Sequence, residues 1–321
     1  MSLENLIMIF ISLFILEVLY FKIANHFNII DKPNARSSHQ TITLRGGGII
    51  FCLSAIIYFT FCGYQYPYFM VGLTAITAIS FIDDVLTLSN KIRLSIHLVV
   101  VLLMFYQWGL FDFAWYWIPV ALVFIIGTIN AYNFMDGING MTGSYSLLAI
   151  GTLYFINEKV VSFISSDFLI VTGLSLLVFN FFNFRKKAKC FAGDVGSVSI
   201  AFIIIFCIGQ LILLTQNFAY LLFLLVYGLD AVATIGFRLI RRENIFEAHR
   251  THFYQYLANE KKWSHLVVSG LYCFVQFVVN ILIILFIKDS YMLAIGLVFS
   301  FGILFLFVRF SMEGIKRLVG S

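Results

Sequence analysis

Four carboxylates flank long apolar runs in three separate segments of the chain. They are Asp83 and Asp84, directly after a run ending at Ile82, Asp136 between two such runs, and Asp194 just before another. Adjacent carboxylates repel each other, and a divalent cation or a shared proton relieves that repulsion. Because magnesium usually takes one or two carboxylates together with substrate phosphates, the pattern indicates Mg²⁺ and phosphate chemistry.

The segment 127–143 combines amides, a carboxylate and glycines between two apolar runs. Asn130, Asn133, Asp136 and Asn139 are spaced three apart, which places neighbouring members on roughly one helical face. Glycines let the backbone turn there and approach a ligand closely. The pattern predicts a helix that ends in a polar loop, either as a ligand site or as an ordinary capped turn.

Gly-Asp-x-Gly-Ser at 193–197 precedes a further apolar run. It predicts a helix N-terminus with Asp194 or Ser197 as its cap. Such an end attracts anions. Asp194 is alternatively a metal ligand, and the segment alone leaves both roles open.

Cationic groups accompany the carboxylates. Arg36, His39 and Arg45 lie in a segment shaped by proline and glycine, and Lys91 and Arg93 follow the paired aspartates. Guanidinium, imidazole and backbone N–H groups suit phosphate, so these residues are predicted to contact substrate.

The segment 241–257 carries His249, Arg250 and His252. On a helix the two imidazoles would share a face, which suits phosphate or a base edge. No third ligand is evident, so the pair does not indicate zinc. Asp230, about two turns inside an apolar run, is either an ion-pair partner or a site residue.

Composition places these segments in a membrane protein. The chain has 321 residues, 61% hydrophobic and only 12% charged, whereas a soluble domain is nearer a quarter charged. The five cysteines are scattered and indicate neither a zinc site nor a disulfide framework. We predict an all-α, polytopic single domain over 1–321, with a retained first span.

The apolar runs predict about eleven transmembrane helices, since a span needs about 20 residues. The predicted spans are 3–21, 47–63, 67–82, 94–109, 114–129, 143–157, 167–183, 198–214, 217–237, 265–287 and 291–309.

Lysine and arginine concentrate in alternate loops, and the opposite loops hold only Lys159 and Lys288. The positive-inside rule then predicts an outside N-terminus and a cytoplasmic C-terminus, with the polar segments on the cytoplasmic side. The net charge of +5 is mainly a topology signal, and we expect no nucleic-acid partner.

In this order the motifs resemble the polyprenyl-phosphate N-acetylhexosamine-1-phosphate transferase family. The matching pieces are D-x-P-N-x-R-x-x-H-x-x-x-T-x-R-G-G-G at 31–48, D-D at 83–84, N-x-x-N-x-x-D-G at 130–137, G-D-x-G-S at 193–197 and H-R-x-H at 249–252. Each motif is modest, but five in order are highly specific, and the likeness covers nearly the whole chain.

The resemblance implies transfer of a sugar-1-phosphate from a UDP-amino sugar to undecaprenyl phosphate, with release of UMP. It implies Asp83 and Asp84 as a base on the lipid phosphate and a metal contact, Asp194 as a Mg²⁺ ligand, Asn133 and Asp136 at the nucleotide, and His249 and His252 near the phosphates. Direct attack and a two-step route through an aspartyl phosphate both fit. From the family pattern we expect Asp83 to serve the lipid phosphate and Asp84 the metal.

The resemblance further implies Mg²⁺, with Mn²⁺ as a substitute, contact with membrane lipids and a bacterial cytoplasmic membrane; it leaves a homodimer open. His-Arg-Thr-His departs from the consecutive histidines of phospho-N-acetylmuramoyl-pentapeptide transferases and favours the surface-polysaccharide initiators. A transporter is a rival class, but transporters place ionisable groups near the midplane. A structural scaffold, the third alternative, gives no reason for five polar loops on one face. The resemblance does not determine which amino sugar is transferred.

Overall fold

The computed structural model describes residues 1–31, 42–86, 88–245, 247, 249–287 and 290–320, and within them it is helical apart from one pair of short strands. The helices are α1 (Leu3–His26), α2 (Ile49–Phe61), α3 (Pro67–Leu86), α4 (Asn90–Trp108), α5 (Trp117–Met135), α6 (Met141–Lys159), α7 (Ser166–Asn183), α8 (Gly193–Thr215), α9 (Leu225–Ile240), α10 (Phe253–Asn259), α11 (His265–Leu282), α12 (Tyr291–Glu313) and α13 (Ile315–Val319). Short 3₁₀ segments occur at Leu110–Asp112 and Phe218–Leu224, and a π-helical segment at Ile283–Ile287 continues α11.

Every predicted span coincides with a helix, but the count of eleven transmembrane helices is not confirmed. In the described part of the chain, nine helices are long and apolar enough to cross a membrane. The exceptions are α2, which has only 13 residues, and α6, which is not among the nine. The protein is therefore an all-helical, multi-pass membrane protein with about nine or ten candidate spans.

Helix α6 explains part of the difference. Its sequence includes Thr142, Ser146, Thr152 and Asn157, and all four side chains are buried in the bundle. A helix that packs on protein rather than lipid can carry polar groups as long as they are not left facing hydrocarbon. Apolar content alone therefore understates how deeply such a helix is embedded.

Helix α8 is the centre of the bundle. It packs against α2, α3, α5 and α6. Its residues from Val195 to Ile208 are buried on all sides, as expected for a helix that is apolar around its whole circumference. The N-terminus of α8 at Gly193 is consequently surrounded by the ends of neighbouring helices.

The loop before α2 is joined to the loop before α8 by backbone pairing. Strands β1 (Ile30–Asp31) and β2 (Thr43–Leu44) are antiparallel, and Leu44 also bridges Cys190. Phe191 N donates to Leu44 O at 2.8 Å, and Gly47 N donates to Phe191 O at 2.9 Å. These bonds place Arg45, which follows β2 directly, beside the start of α8.

The break between the 3₁₀ segment Phe218–Leu224 and α9 leaves backbone groups without helical partners. Gln276 on α11 satisfies two of them: Val226 N donates to its Oε1 at 3.0 Å, and its Nε2 donates to Leu222 O at 2.9 Å. Irregular backbone at this depth persists only where protein groups satisfy it. The break directs α9 toward the site described below.

The predicted topology is tested by cysteine labelling. The N-terminal amine lies 2.8 Å from Asp167 Oδ1, so the N-terminus and the start of α7 lie at one end of the bundle. In a variant without the five native cysteines, we expect Ser89→Cys and Ser264→Cys to react with an impermeant thiol reagent only from the cytoplasm. Ser162→Cys should react only from outside. The reverse pattern would place the polar loops on the outer face.

Candidate active site

Two arginines bridge three of the predicted carboxylates. Arg45 Nε lies 2.8 Å from Asp84 Oδ1, and Arg45 Nη2 lies 3.4 Å from Asp194 Oδ1. Arg93 Nη1 lies 2.9 Å from Asp83 Oδ2, and Arg93 Nη2 lies 3.5 Å from Asp194 Oδ2. Asp194 thus stands between both guanidinium groups. The cluster joins the residue after β2, the end of α3, the first turn of α4 and the start of α8 at one end of the bundle.

Asp84 caps α8 from another helix. Its Oδ1 accepts from Asp194 N and its Oδ2 from Val195 N, each at 3.0 Å. The first N–H groups of a helix need such partners, and the sequence interpretation of Asp194 or Ser197 as the cap was wrong. Gly193 has φ +71°, and a Cβ there would lie 2.6 Å from Asp84 Oδ2. Glycine is required because any side chain would displace the cap.

Asp83 and Asp84 point in different directions, as neighbours on a helix must. Asp83 Oδ1 accepts from Leu88 N at 2.6 Å, and its other oxygen contacts Arg93. The carboxylate expected to face the lipid phosphate is thus paired with a cation in the substrate-free protein. The Asp84 side chain is fully buried. Lys91 is exposed in the first turn of α4.

The end of α5 lies against the start of α8. Ser197 Oγ donates to Asn133 Oδ1 at 2.8 Å. Asn130 lies one turn earlier on α5 and is half-buried. Asp136 directly follows α5; burial raises its pKa to about 7, and the carboxylates of Asp194 and Asp84 act in the same direction.

The histidine segment lies beside the end of α5. The His249 and His252 ring centroids are 4.9 Å apart, and both rings lie about 6 Å from Phe134, at 5.9 and 6.0 Å. Tyr254 OH donates to Phe134 O at 2.8 Å, which fastens the two loops together. A Cβ at Gly137 would lie 2.2 Å from that hydroxyl, so the close approach depends on glycine.

This segment is irregular, because α10 begins only at Phe253. The expectation of a shared helical face for the two imidazoles was wrong, although the rings do adjoin. Burial lowers the pKa of His249 to about 4, with His252 and Arg238 acting in the same direction. Arg250, which lies between the two histidines in the sequence, is half-buried.

Two predicted site residues, Arg36 and His39, lie outside the described residues, and two residues that contact the site segments were not predicted as site residues. The contacts of Tyr254 had no signal in the sequence. Asp230 did have a signal in the sequence, because a carboxylate inside an apolar span is costly unless it has partners. Its partners could be found only from the fold.

The donor set near Asp194 fits a magnesium ion only if substrate phosphates complete the coordination. In the described residues, no three His, Cys, Asp or Glu side chains converge as a metal site. The Asp84 oxygens already accept two backbone N–H groups and Arg45. Asp194 has the longer contacts, at 3.4 and 3.5 Å, and is the side chain best able to exchange partners.

The protein is a multi-pass helical bundle with a cluster of carboxylate and guanidinium groups at one end. The glycosyl transferase family 4 model matches residues 66–212, which include Asp83, Asp84, Asp136 and Asp194. The chain is similar to this family over those residues, and the likeness supports a membrane transferase of the undecaprenyl-phosphate sugar-phosphate type. Arg45 and the histidine segment lie outside the matched residues.

Three relatives illustrate the range of similarity. The chain is 26% identical over 266 residues to the probable undecaprenyl-phosphate N-acetylglucosaminyl 1-phosphate transferase of Bacillus subtilis, covering 74% of this chain and 71% of the relative. It is 26% identical over 275 residues to the undecaprenyl-phosphate alpha-N-acetylglucosaminyl 1-phosphate transferase of Yersinia pestis, covering 77% and 74%. It is 28% identical over 231 residues to the phospho-N-acetylmuramoyl-pentapeptide-transferase of Thermotoga maritima, covering 64% and 73%.

Proposed function

We propose that this protein transfers an N-acetylamino-sugar-1-phosphate from a UDP-sugar to undecaprenyl phosphate, releasing UMP. The observation that carries the proposal is the cluster in which Arg45 and Arg93 hold Asp83, Asp84 and Asp194. Three carboxylates and two guanidinium groups leave one net negative charge. A site of that sign takes a phosphate only together with a cation, and this supports a magnesium-dependent phosphoryl transfer.

The reaction exchanges one phosphoanhydride for another. An oxygen of the lipid phosphate forms a bond to the phosphorus that carries the sugar. The bond between that phosphorus and the oxygen bridging to the uridine phosphate breaks, and UMP leaves with the electron pair. Little covalent chemistry is required of the protein, so positioning and electrostatic stabilisation are its main contributions.

Each part of the site has a role in this proposal. Asp83 orients the lipid phosphate or accepts its proton, and Arg93 exchanges its contact with Asp83 for the incoming phosphate. Asn133 and Asp136 contact the nucleotide, while the histidine segment contacts the diphosphate. Asp194 would hold magnesium, which when bound neutralises charge on the phosphates.

We further propose that the enzyme works in the bacterial cytoplasmic membrane with its site on the cytoplasmic face, as a single domain over 1–321. The product would be the lipid-linked first sugar of an O-antigen, capsule or cell-wall polysaccharide. The lysine and arginine asymmetry supports that orientation. A homodimer stays a prediction that one chain does not test.

The test is an assay of UMP release by the purified protein with undecaprenyl phosphate and Mg²⁺. UDP-N-acetylglucosamine, UDP-N-acetylgalactosamine, UDP-linked 6-deoxy amino sugars and UDP-N-acetylmuramoyl-pentapeptide form the panel. We expect release with at least one UDP-amino sugar, dependent on both the lipid and the metal. Absence of release with every donor, from a protein that remains folded and binds UDP, would contradict the proposal.

The second candidate is phospho-N-acetylmuramoyl-pentapeptide transfer, which the similarity to the Thermotoga maritima protein supports. Release of UMP from the pentapeptide donor alone would select it. Lipid or sugar transport is a weaker alternative, because the carboxylate cluster lies where several helices begin or end. Transport would give movement of substrate across a vesicle without release of UMP.

A further inference from the structure

Asp230 is a fully buried carboxylate on α9 that collects five hydrogen-bond donors. Its Oδ1 accepts from Phe253 N at 2.9 Å and Thr234 Oγ1 at 3.1 Å, and it lies 3.3 Å from His252 Nδ1. Its Oδ2 accepts from Tyr272 OH at 2.6 Å and Tyr254 N at 3.2 Å. Such a set suits a carboxylate that only accepts, because a protonated oxygen would itself need an acceptor.

A second helix, α12, fixes the same segment. Arg309 on α12 is buried, and its Nη1 donates to Thr234 Oγ1 at 2.9 Å while its Nη2 donates to Thr251 O at 3.0 Å. Arg309 Nη1 also lies 4.0 Å from Asp230 Oδ1. Helices α9, α11 and α12 thus all meet at the residues on either side of His252.

These contacts determine which nitrogen of His252 carries hydrogen. Asp230 Oδ1 accepts, so Nδ1 is the protonated nitrogen facing it. Nε2 is left as the free end of the ring. It is buried, and it has no hydrogen-bond partner among the described residues. A buried polar atom without a partner is costly, and the ring lies against Phe134, between Asn133 and Asp136 in sequence.

We propose that Asp230 is a positioning residue that fixes the His252 ring, with Nδ1–H facing the Asp230 carboxylate and Nε2 left for contact with the UDP-sugar diphosphate. The proposal rests on the proposed function and adds a residue outside the segments that carry its motifs. A carboxylate that holds Nδ1 fixes the direction of the ring, so its other nitrogen is in position before the substrate arrives.

Other charged and titratable groups surround the ring, and all of them except Tyr272 are unchanged in the variants below. They are His249 and Arg250 in the same segment, Arg238 on α9, Tyr254 on α10, Tyr272 on α11, and Arg309 with its partner Glu313 on α12.

The experiment measures UDP affinity in the presence of Mg²⁺ for wild type, Asp230→Asn and Tyr272→Phe. Asp230→Asn removes the charged acceptor that holds the ring, and we expect it to weaken UDP binding by about 10–100-fold, the usual effect of losing a group that orients a binding histidine. Tyr272→Phe removes one contact to the same carboxylate but leaves its charge and the contact with His252. It should keep an affinity close to that of wild type.

Further variants decide between positioning and simple folding. The double variant Asp230→Asn/His252→Ala should release UMP only slightly more slowly than His252→Ala alone. Both changes remove the same feature, the oriented His252 ring, so their effects should not add. Equal UDP affinities for Asp230→Asn and Tyr272→Phe, or fully additive losses in UMP release, would overturn the proposal. If wild type did not release UMP but Asp230→Asn still weakened UDP binding, the proposed function would be contradicted and Asp230 would keep its role in binding.

A measurement on the wild-type protein covers the case in which Asp230→Asn does not fold. Nitrogen-15 spectra of labelled histidines, with His252 assigned by its loss in His252→Gln, report the tautomer at alkaline pH. We expect the Nδ1–H form. The Nε2–H form would show that Asp230 does not set the ring and would overturn the proposal.

Discussion

Asp194→Asn is expected to lower the rate of UMP release by at least about 10²–10³-fold, the loss typical of removing one group that stabilises the transition state. Asp194 is the carboxylate held by both arginines, at 3.4 and 3.5 Å, and it is the member of the cluster best placed to bind a metal ion with the substrate diphosphate. The amide keeps the shape of the side chain but removes the charge. The residual activity should also respond weakly to added Mg²⁺.

The measurement is turnover against Mg²⁺ concentration, with Mn²⁺ as a second metal. Asp167→Asn is the matched control, because it makes the same substitution at a carboxylate at the opposite end of the bundle, where Asp167 pairs with the N-terminal amine. That variant should keep the wild-type metal dependence. Wild-type turnover of Asp194→Asn in EDTA would refute a metal role.

The sequence predicted which carboxylates meet, because each stood at the edge of an apolar run. A charged group at such an edge lies near the membrane surface, and edges on the same side of the membrane come together when the helices pack. Asp83, Asp84 and Asp194 illustrate this. Their contacts with Arg45 and Arg93 join polar segments far apart in the chain.

The sequence could not predict which group each carboxylate faces. Asp84 and Asp194 are similar in local pattern, yet Asp84 caps α8 while Asp194 stands between two guanidinium groups. The choice depends on how α3 and α8 pack, and no local spacing records that packing. The same holds for Asp230, because its partners Tyr272 and Arg309 come from α11 and α12.

The predicted count of eleven transmembrane helices is not confirmed, for a related reason. Hydropathy measures how well a segment suits lipid, whereas α6 is largely packed on other helices and tolerates buried Ser146 and Asn157. Conversely, α2 is apolar but has only 13 residues. Both helices lie close to the site, where they contact other parts of the protein rather than lipid.

The paired aspartates give the second large effect. Asp83→Asn is expected to lower turnover by about 10²–10⁴-fold, the contribution of a general base. Asp83 is only 8% exposed and is held by Arg93 at 2.9 Å, so the variant changes one oxygen to an amide within an ordered contact. UDP binding should survive, because the nucleotide contacts proposed for Asn133 and Asp136 are separate. The loss should ease at higher pH, where the lipid phosphate is already deprotonated.

Asp84→Asn makes the same substitution at the neighbouring residue, and it should lower stability rather than mainly the rate of turnover. Its carboxylate accepts the first N–H groups of α8 and pairs with Arg45, so we expect a loss of stability of about 1–3 kcal/mol, the cost of leaving buried partners unsatisfied. Release of Arg45 should also raise the Mg²⁺ concentration needed for turnover, because Arg45 shares Asp194 with the proposed metal. Thermal unfolding in detergent, followed beside the UMP assay, separates the two effects.

The comparison of the two single variants decides the mechanism. A kinetic loss without a change in unfolding temperature for Asp83→Asn, and a lower unfolding temperature for Asp84→Asn, would assign proton transfer or orientation to the first residue and architecture to the second. Arg93→Lys adds a check, since an ammonium cannot make both contacts that the guanidinium makes to Asp83 and Asp194. If Asp83→Asn turned over at nearly the wild-type rate, the lipid phosphate would need no base from this pair, and Asp83 would serve only to orient Arg93.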